Sequence, residues 1–168
     1  ILHSPAYTPL KNAILKNNRT VIDSPLKRVE DQYVMDFDSL EKAIDERTKM
    51  MILCSPHNPT GRVWTAAELQ EASEFCKKHD WPLYPDEIHG DLTASGVTHL
   101  SALGLDPELD DRLIVANSPA KTFNIPGLII SYMIIPNARL REKVRADIDR
   151  IGMHNPSIFA MAAMEVVY

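Results

Sequence analysis

The chain has 168 residues, of which 45% are hydrophobic and 24% charged, and its mean hydropathy is -0.19. That is enough apolar material to bury the core of one domain, which excludes general disorder. With 18 basic against 23 acidic residues the net charge is -5, which argues against a nucleic-acid surface, and no apolar run approaches the roughly 18 residues that span a bilayer.

Residues 1–7 read as an apolar segment entered midway. Residues 7–16 then form a short helix candidate, 20–22 a short strand, and 38–46 a helix that Asp38 or Ser39 can cap. Residues 49–55 are an apolar run of strand length that ends in a proline-rich loop. Thr65 to Glu68 is a capping box, opening a helix with Leu69, Ala72 and Cys76 on one face. The segment 81–89 is strand-like and ends in a polar cluster. Residues 112–117 form a clear strand rich in Ile, Leu and Val, and 128–135 another, stopped by Pro136. Asn137 caps a long amphipathic helix expected to bury Leu140, Val144 and Ile148, and 157–168 is a last, mostly apolar helix. This last helix stops inside its pattern without Gly, Asn or Pro, and Ile1 is no start methionine, so both ends read as cut and a longer parent protein is expected. No signal peptide is read at Ile1, and the two cysteines, Cys54 and Cys76, are too few for a disulfide framework. A reducing, cytoplasmic setting is therefore expected.

Strands separated by helices predict an α/β domain with a largely parallel sheet, and such sheets bind ligands beyond the carboxyl ends of their strands. That rule selects three loops: Ser-Pro-His-Asn-Pro-Thr-Gly at 55–61, Pro-Asp-Glu-Ile-His-Gly-Asp at 85–91, and Asn-Ser-Pro-Ala-Lys-Thr-Phe-Asn at 117–124. Singly, each has an ordinary explanation: a turn former, a solvated strand end, a surface lysine. Together they bring a lysine, an aspartate and an asparagine to one edge of the sheet. This combination suits pyridoxal phosphate, whose aldehyde needs an amine, whose ring nitrogen needs a carboxylate and whose phenolic oxygen needs a donor.

With these loops, the Pro-Ala-Tyr at 5–7, the Lys-Thr-Phe-Asn-Ile-Pro-Gly-Leu run at 121–128 and Ser-Tyr-Met-Ile-Ile-Pro-Asn at 131–137, the chain resembles the fold-type I, aspartate aminotransferase superfamily of pyridoxal-phosphate enzymes. Within it the likeness is nearest to the cystathionine β-lyase group. The resemblance implies a three-layer large domain, a mostly parallel sheet flanked by helices, of which residues 1–168 are an incomplete part. It implies further that an N-terminal segment with a glycine-containing phosphate loop and a C-terminal small domain with a substrate-binding arginine lie outside them. The 168 residues alone are then expected to be inactive.

By position, the resemblance makes Lys121 the cofactor-binding lysine that also moves the substrate Cα proton, and Asp86 the partner of the ring nitrogen. It assigns Asn58 and His89 to the phenolic oxygen, Tyr7 to stacking on the ring, and Ser118 to the phosphate. No metal ligand is assigned. The implied reaction cleaves an L-cysteine S-conjugate, a small amino-acid substrate, to a thiol, pyruvate and ammonia, in a homodimer. An aminotransferase of the same fold is the alternative, and a truncated, non-catalytic or protein-binding remnant is a rival of another class. Ala120 stands where the family commonly has serine, and Ile129, eight residues after the lysine, where the family's aminotransferases carry an arginine; the latter leans toward the lyase group. Glu87 is expected to point to the opposite side of the strand end from Asp86 and to matter less. Trp64 and Trp81 are expected to serve packing.

Overall fold

The structure, a computed structural model, describes residues 1–153 and 155–168. In chain order the elements are β1 (Leu2–Ser4), α1 (Thr8–Lys16), β2 (Asp23–Pro25), β3 (Lys27–Val29), β4 (Gln32–Val34), α2 (Phe37–Ala43) and β5 (Met51–Cys54). They continue with α3 (Ala66–Lys78), β6 (Leu83–Asp86), β7 (Val115–Asn117), α4 (Pro119–Thr122), β8 (Tyr132–Ile134), α5 (Ala138–Arg150) and α6 (Ile158–Val167). Six strands form one sheet in the order β2-β1-β5-β6-β7-β8, parallel except for the antiparallel β7–β8 pair at one edge. The α/β class and its mostly parallel sheet are as expected. A separate hairpin, β3–β4, was not read from the sequence.

Alternation along the central strands builds the core. Met51 and Leu53 of β5 and Leu83 of β6 are buried, and helix α3 lays Leu69, Ala72 and Cys76 against them. The capping box at the start of α3 forms as read: Thr65 Oγ1 accepts from Glu68 N–H at 3.2 Å, and Glu68 Oε2 accepts from Thr65 N–H at 2.8 Å.

Several boundaries differ. The strand expected at 20–22 lies at Asp23–Pro25, because pairing with β1 sets it: Leu2 faces Asp23. Helix α2 begins at Phe37, and its cap is Asp36 rather than Asp38 or Ser39; Asp36 Oδ1 accepts from Ser39 N–H at 3.2 Å. The strand expected over 128–135 shrinks to Tyr132–Ile134, since Pro126–Leu128 form a tight 3-10 turn and Ile129 takes a left-handed φ of 48°. Asn137 caps α5 as expected, with Oδ1 accepting from Leu140 N–H at 2.8 Å. Leu140, Val144 and Ile148 form the least exposed stripe of that helix but are only half-buried. No helix among the described residues is long and apolar enough to cross a membrane.

Candidate active site

The loops after β5, β6 and β7 leave the sheet at one edge because the three strands run parallel and in register. Cys54 faces Asp86, and Asp86 faces Ala116. Two backbone bonds extend this register beyond the strands: Ser55 N–H to Asp86 C=O at 2.9 Å, and Glu87 N–H to Ala116 C=O at 2.8 Å.

The first loop carries Asn58 and is closed by its own bonds. His57 N–H donates to Arg62 C=O and Gly61 N–H to His57 C=O, both at 2.7 Å, with His57 Nδ1 2.7 Å from Thr60 Oγ1. Gly61 turns with φ of 73°, a conformation a side chain would strain. Trp64 is 1% exposed, and its Nε1–H donates to Cys54 C=O at 2.9 Å; the residue expected to pack also pins the end of β5. Arg62 pairs with Glu68, donates to Gln32 Oε1 at 2.9 Å and lies 5.0 Å over the Trp64 ring. Its guanidinium therefore holds the loop to α3 and to the β3–β4 hairpin. The sequence does not mark Arg62 as a loop support, for its partner Gln32 lies 30 residues away, nor His57, whose short-range bonds within the loop follow no regular period.

The second loop starts at Asp86. Its half-buried carboxylate accepts from Ile88 N–H at 3.4 Å and, among the described residues, forms no ion pair. Burial, more than the Ile88 bond or neighbouring charge, pushes its pKa above the usual carboxylate range. The same burial, followed by the Asp86 charge, raises the Tyr84 phenol. Glu87 faces the opposite side, as expected, but is 3% exposed and hydrogen-bonded. Strand alternation puts it on the buried face with Leu83 and Pro85, so it has a structural place inside the fold that the sequence did not reveal.

The third loop follows β7. Ser118 caps α4, a helix not read from the sequence; its Oγ accepts from Ala120 N–H at 3.0 Å and donates to Ile130 C=O at 2.5 Å. The Ser118 hydroxyl is thus occupied inside the fold. Lys121 stands in the last turn of α4, exposed, and its ammonium has no hydrogen bond or ion pair among the described residues. Thr122 Oγ1 donates to Asp91 Oδ2 at 3.0 Å and ties α4 to the loop after β6.

A cleft of about 570 Å³ opens at this edge, with Asn58, His89 and Arg62 among its walls. Asn58 also borders a smaller crevice together with Tyr7 and His57. The structure so joins Asn58 to His89 on one side and to Tyr7, 47% exposed, on the other. Asp86, Ser118 and Lys121 follow the same edge of the sheet without lining the cleft.

The sequence model of the aminotransferase class I and II family matches residues 1–167. The chain belongs to the class I and II aminotransferase family. Among curated members, cystathionine beta-lyase PatB of Bacillus subtilis is 37% identical over 169 residues, covering all of this chain and 44% of PatB. Protein MalY of Escherichia coli is 35% identical over 170 residues, covering all of this chain and 43% of MalY. The chain thus spans under half the length of these relatives. Among solved structures, cystalysin from Treponema denticola, which contains a pyridoxal 5'-phosphate cofactor, superposes with a TM-score of 0.92 at 36% identity, over 96% of this chain and 41% of cystalysin. This family fold accounts for the parallel strand ends and the three loops that converge on them.

Proposed function

We propose that residues 1–168 are part of the large, cofactor-binding domain of a pyridoxal-phosphate carbon–sulfur β-lyase that cleaves L-cysteine S-conjugates. The observation that carries this reading is Asp86: a raised, partly desolvated carboxylate without a cation, in register between the loop bearing Asn58 and the turn bearing Lys121. Such a carboxylate fits a protonated ring nitrogen, which would relieve its burial cost by supplying the missing charge. Asn58 and His89, in one cleft, fit a phenolic oxygen; Tyr7, across Asn58, fits the ring face.

Bound pyridoxal phosphate supplies an electron sink for the charge left on the substrate Cα. As a neutral amine, Lys121 Nζ would take the Cα proton; among the described residues no hydrogen bond or ion pair holds it elsewhere. Asp86 holds the proton on the ring nitrogen. Ser118 is assigned to the phosphate, a contact that would require its proton to leave Ile130 C=O, to which it donates in the structure. A homodimer in the cytoplasm belongs to the same reading.

The similarity to PatB and Ile129 in place of an arginine support the lyase over an aminotransferase. The two divide on the need for an acceptor, since elimination needs none and transamination requires a keto acid. The natural gene product given cystathionine without a keto acid is expected to release pyruvate over many turnovers. One turnover, resumed only when a keto acid is added, would decide for the aminotransferase.

A further inference from the structure

Glu87 takes no part in the roles assigned above, yet its carboxylate is held at both oxygens. Oε1 accepts from the backbone N–H of Ala102 at 2.8 Å, and Oε2 lies 3.3 Å from His99 Nε2. The His99 contact is within ion-pair distance but not aligned as a hydrogen bond, and among the described residues neither ring nitrogen of His99 has a hydrogen-bond partner. Between them lies Gly90, whose N–H donates to Glu87 C=O at 2.8 Å. A Cβ on Gly90 would stand 2.8 Å from His99 Cδ2 and 3.1 Å from Glu87 O, so the histidine packs where only glycine leaves room. The chain between these anchors, residues 91–98, supplies Leu92, Thr93, Ala94 and Val97 to the wall of the cleft, and Thr93 Oγ1 closes it internally on Val97 C=O at 2.7 Å. His89 sits within the turn that Glu87 and Gly90 form.

We propose that Glu87, with His99 and Gly90, is a clamp that positions His89 and holds the 91–98 arc as one wall of the cleft. Glu87 is a positioning residue: it acts through the turn and the arc. The inference rests on the reading of this cleft as the cofactor and substrate site for its consequence, but the clamp itself is testable without cofactor. Apart from the Thr122–Asp91 bond at its start, the clamp ties the arc to the strand end, and removing it opens the arc locally, whereas β5 belongs to the core and reports global stability.

Hydrogen exchange on the cofactor-free protein reads both. In Gly90→Ala the added methyl wedges His99 outward, and the amides of the arc and its anchor, 91–102, are expected to exchange at least about tenfold faster, while those of Met51–Cys54 stay within about threefold. Adding His99→Ala to Gly90→Ala removes the clash and is expected to restore protection at Ala102, because its bond to Glu87 re-forms, while the 91–98 amides, having lost His99, stay faster than in wild type. Glu87→Gln, which keeps an acceptor for Ala102, is expected to protect that amide better than Glu87→Ala does. If Glu87→Ala does not fold, the Gly90 pair carries the test alone. Equal acceleration of the arc and β5, unchanged exchange in Gly90→Ala, or no rescue by the second substitution would each overturn the clamp. A failure of cofactor binding with the exchange pattern intact would instead count against the reading of the site.

Discussion

Asp86 and Ala116 face each other at the last paired step of β6 and β7, and the next backbone bond, Glu87 N–H to Ala116 C=O, falls just beyond it. Asn117 and the Ser118 cap follow directly, so the turn carrying Lys121 leaves the sheet from the strand next to the one that ends at Asp86. Parallel neighbours release their loops in one direction, and the chemistry of this edge depends on that register.

Asp86→Asn is expected to separate stability from binding. Burial holds the Asp86 acid above the usual carboxylate range, so the fold favours its protonated form. Stability is then lost as pH rises from the ordinary carboxylate value through the raised one, and the variant should unfold at a higher urea midpoint than wild type at pH 7 without cofactor. Pyridoxal phosphate should bind the variant more weakly, and the part of its pH dependence that comes from ionising Asp86 should vanish. Fluorescence titrations of both proteins across pH check the second half.

His3 predicts a second pH effect of known sign. It is 2% exposed, with Nδ1 3.2 Å from Ser24 Oγ and Nε2 without a hydrogen-bond partner among the described residues, and burial followed by the neighbouring His57 pushes its pKa from 6.5 down to about 4. The unfolded chain protonates near 6.5 while the fold resists, so stability falls as pH drops from 6.5 toward 4, by up to about 1.4 kcal/mol per unit. His57 is lowered too, so His3→Gln is expected to reduce the slope rather than abolish it. Urea unfolding at pH 4.5 and pH 7 measures the difference.

Thr65→Ala should cost about 1 kcal/mol, the usual worth of an N-cap. The loss has a functional direction, because Glu68 serves the cap through Oε2 and Arg62 through Oε1. Thermal unfolding gives the first effect, and faster exchange at the His57 and Gly61 amides, which Arg62 helps to hold, gives the second.

What could be read from the sequence was what local pattern controls. The Thr65 and Asn137 caps, the apolar run at Met51–Cys54 and the order of the three loops follow from residues a few positions apart. Position along the strand also put Glu87 opposite Asp86, but not the partners that bury it, Ala102 and His99, more than ten residues on. Strand β1 and the β3–β4 hairpin were missed because three-residue strands show no period, and long-range pairing defines them. Likewise, α4 ends in a single turn whose cap, Ser118, is satisfied from Ile130 across the fold. For the site, the resemblance named the residues; the structure shows Asn58 and His89 sharing a cleft and Lys121 without a hydrogen bond or ion pair among the described residues.

The proposed role of Lys121 in binding the cofactor is measured directly by borohydride reduction of the natural gene product after incubation with pyridoxal 5'-phosphate, followed by peptide mapping. The chain carries other exposed lysines, such as Lys78, that reduction could trap without a built site. The account predicts a single pyridoxyl group on Lys121, lost in Lys121→Arg and diminished in Asp86→Ala. A label on Lys77, Lys78 or any other lysine, undiminished in Asp86→Ala, would contradict it.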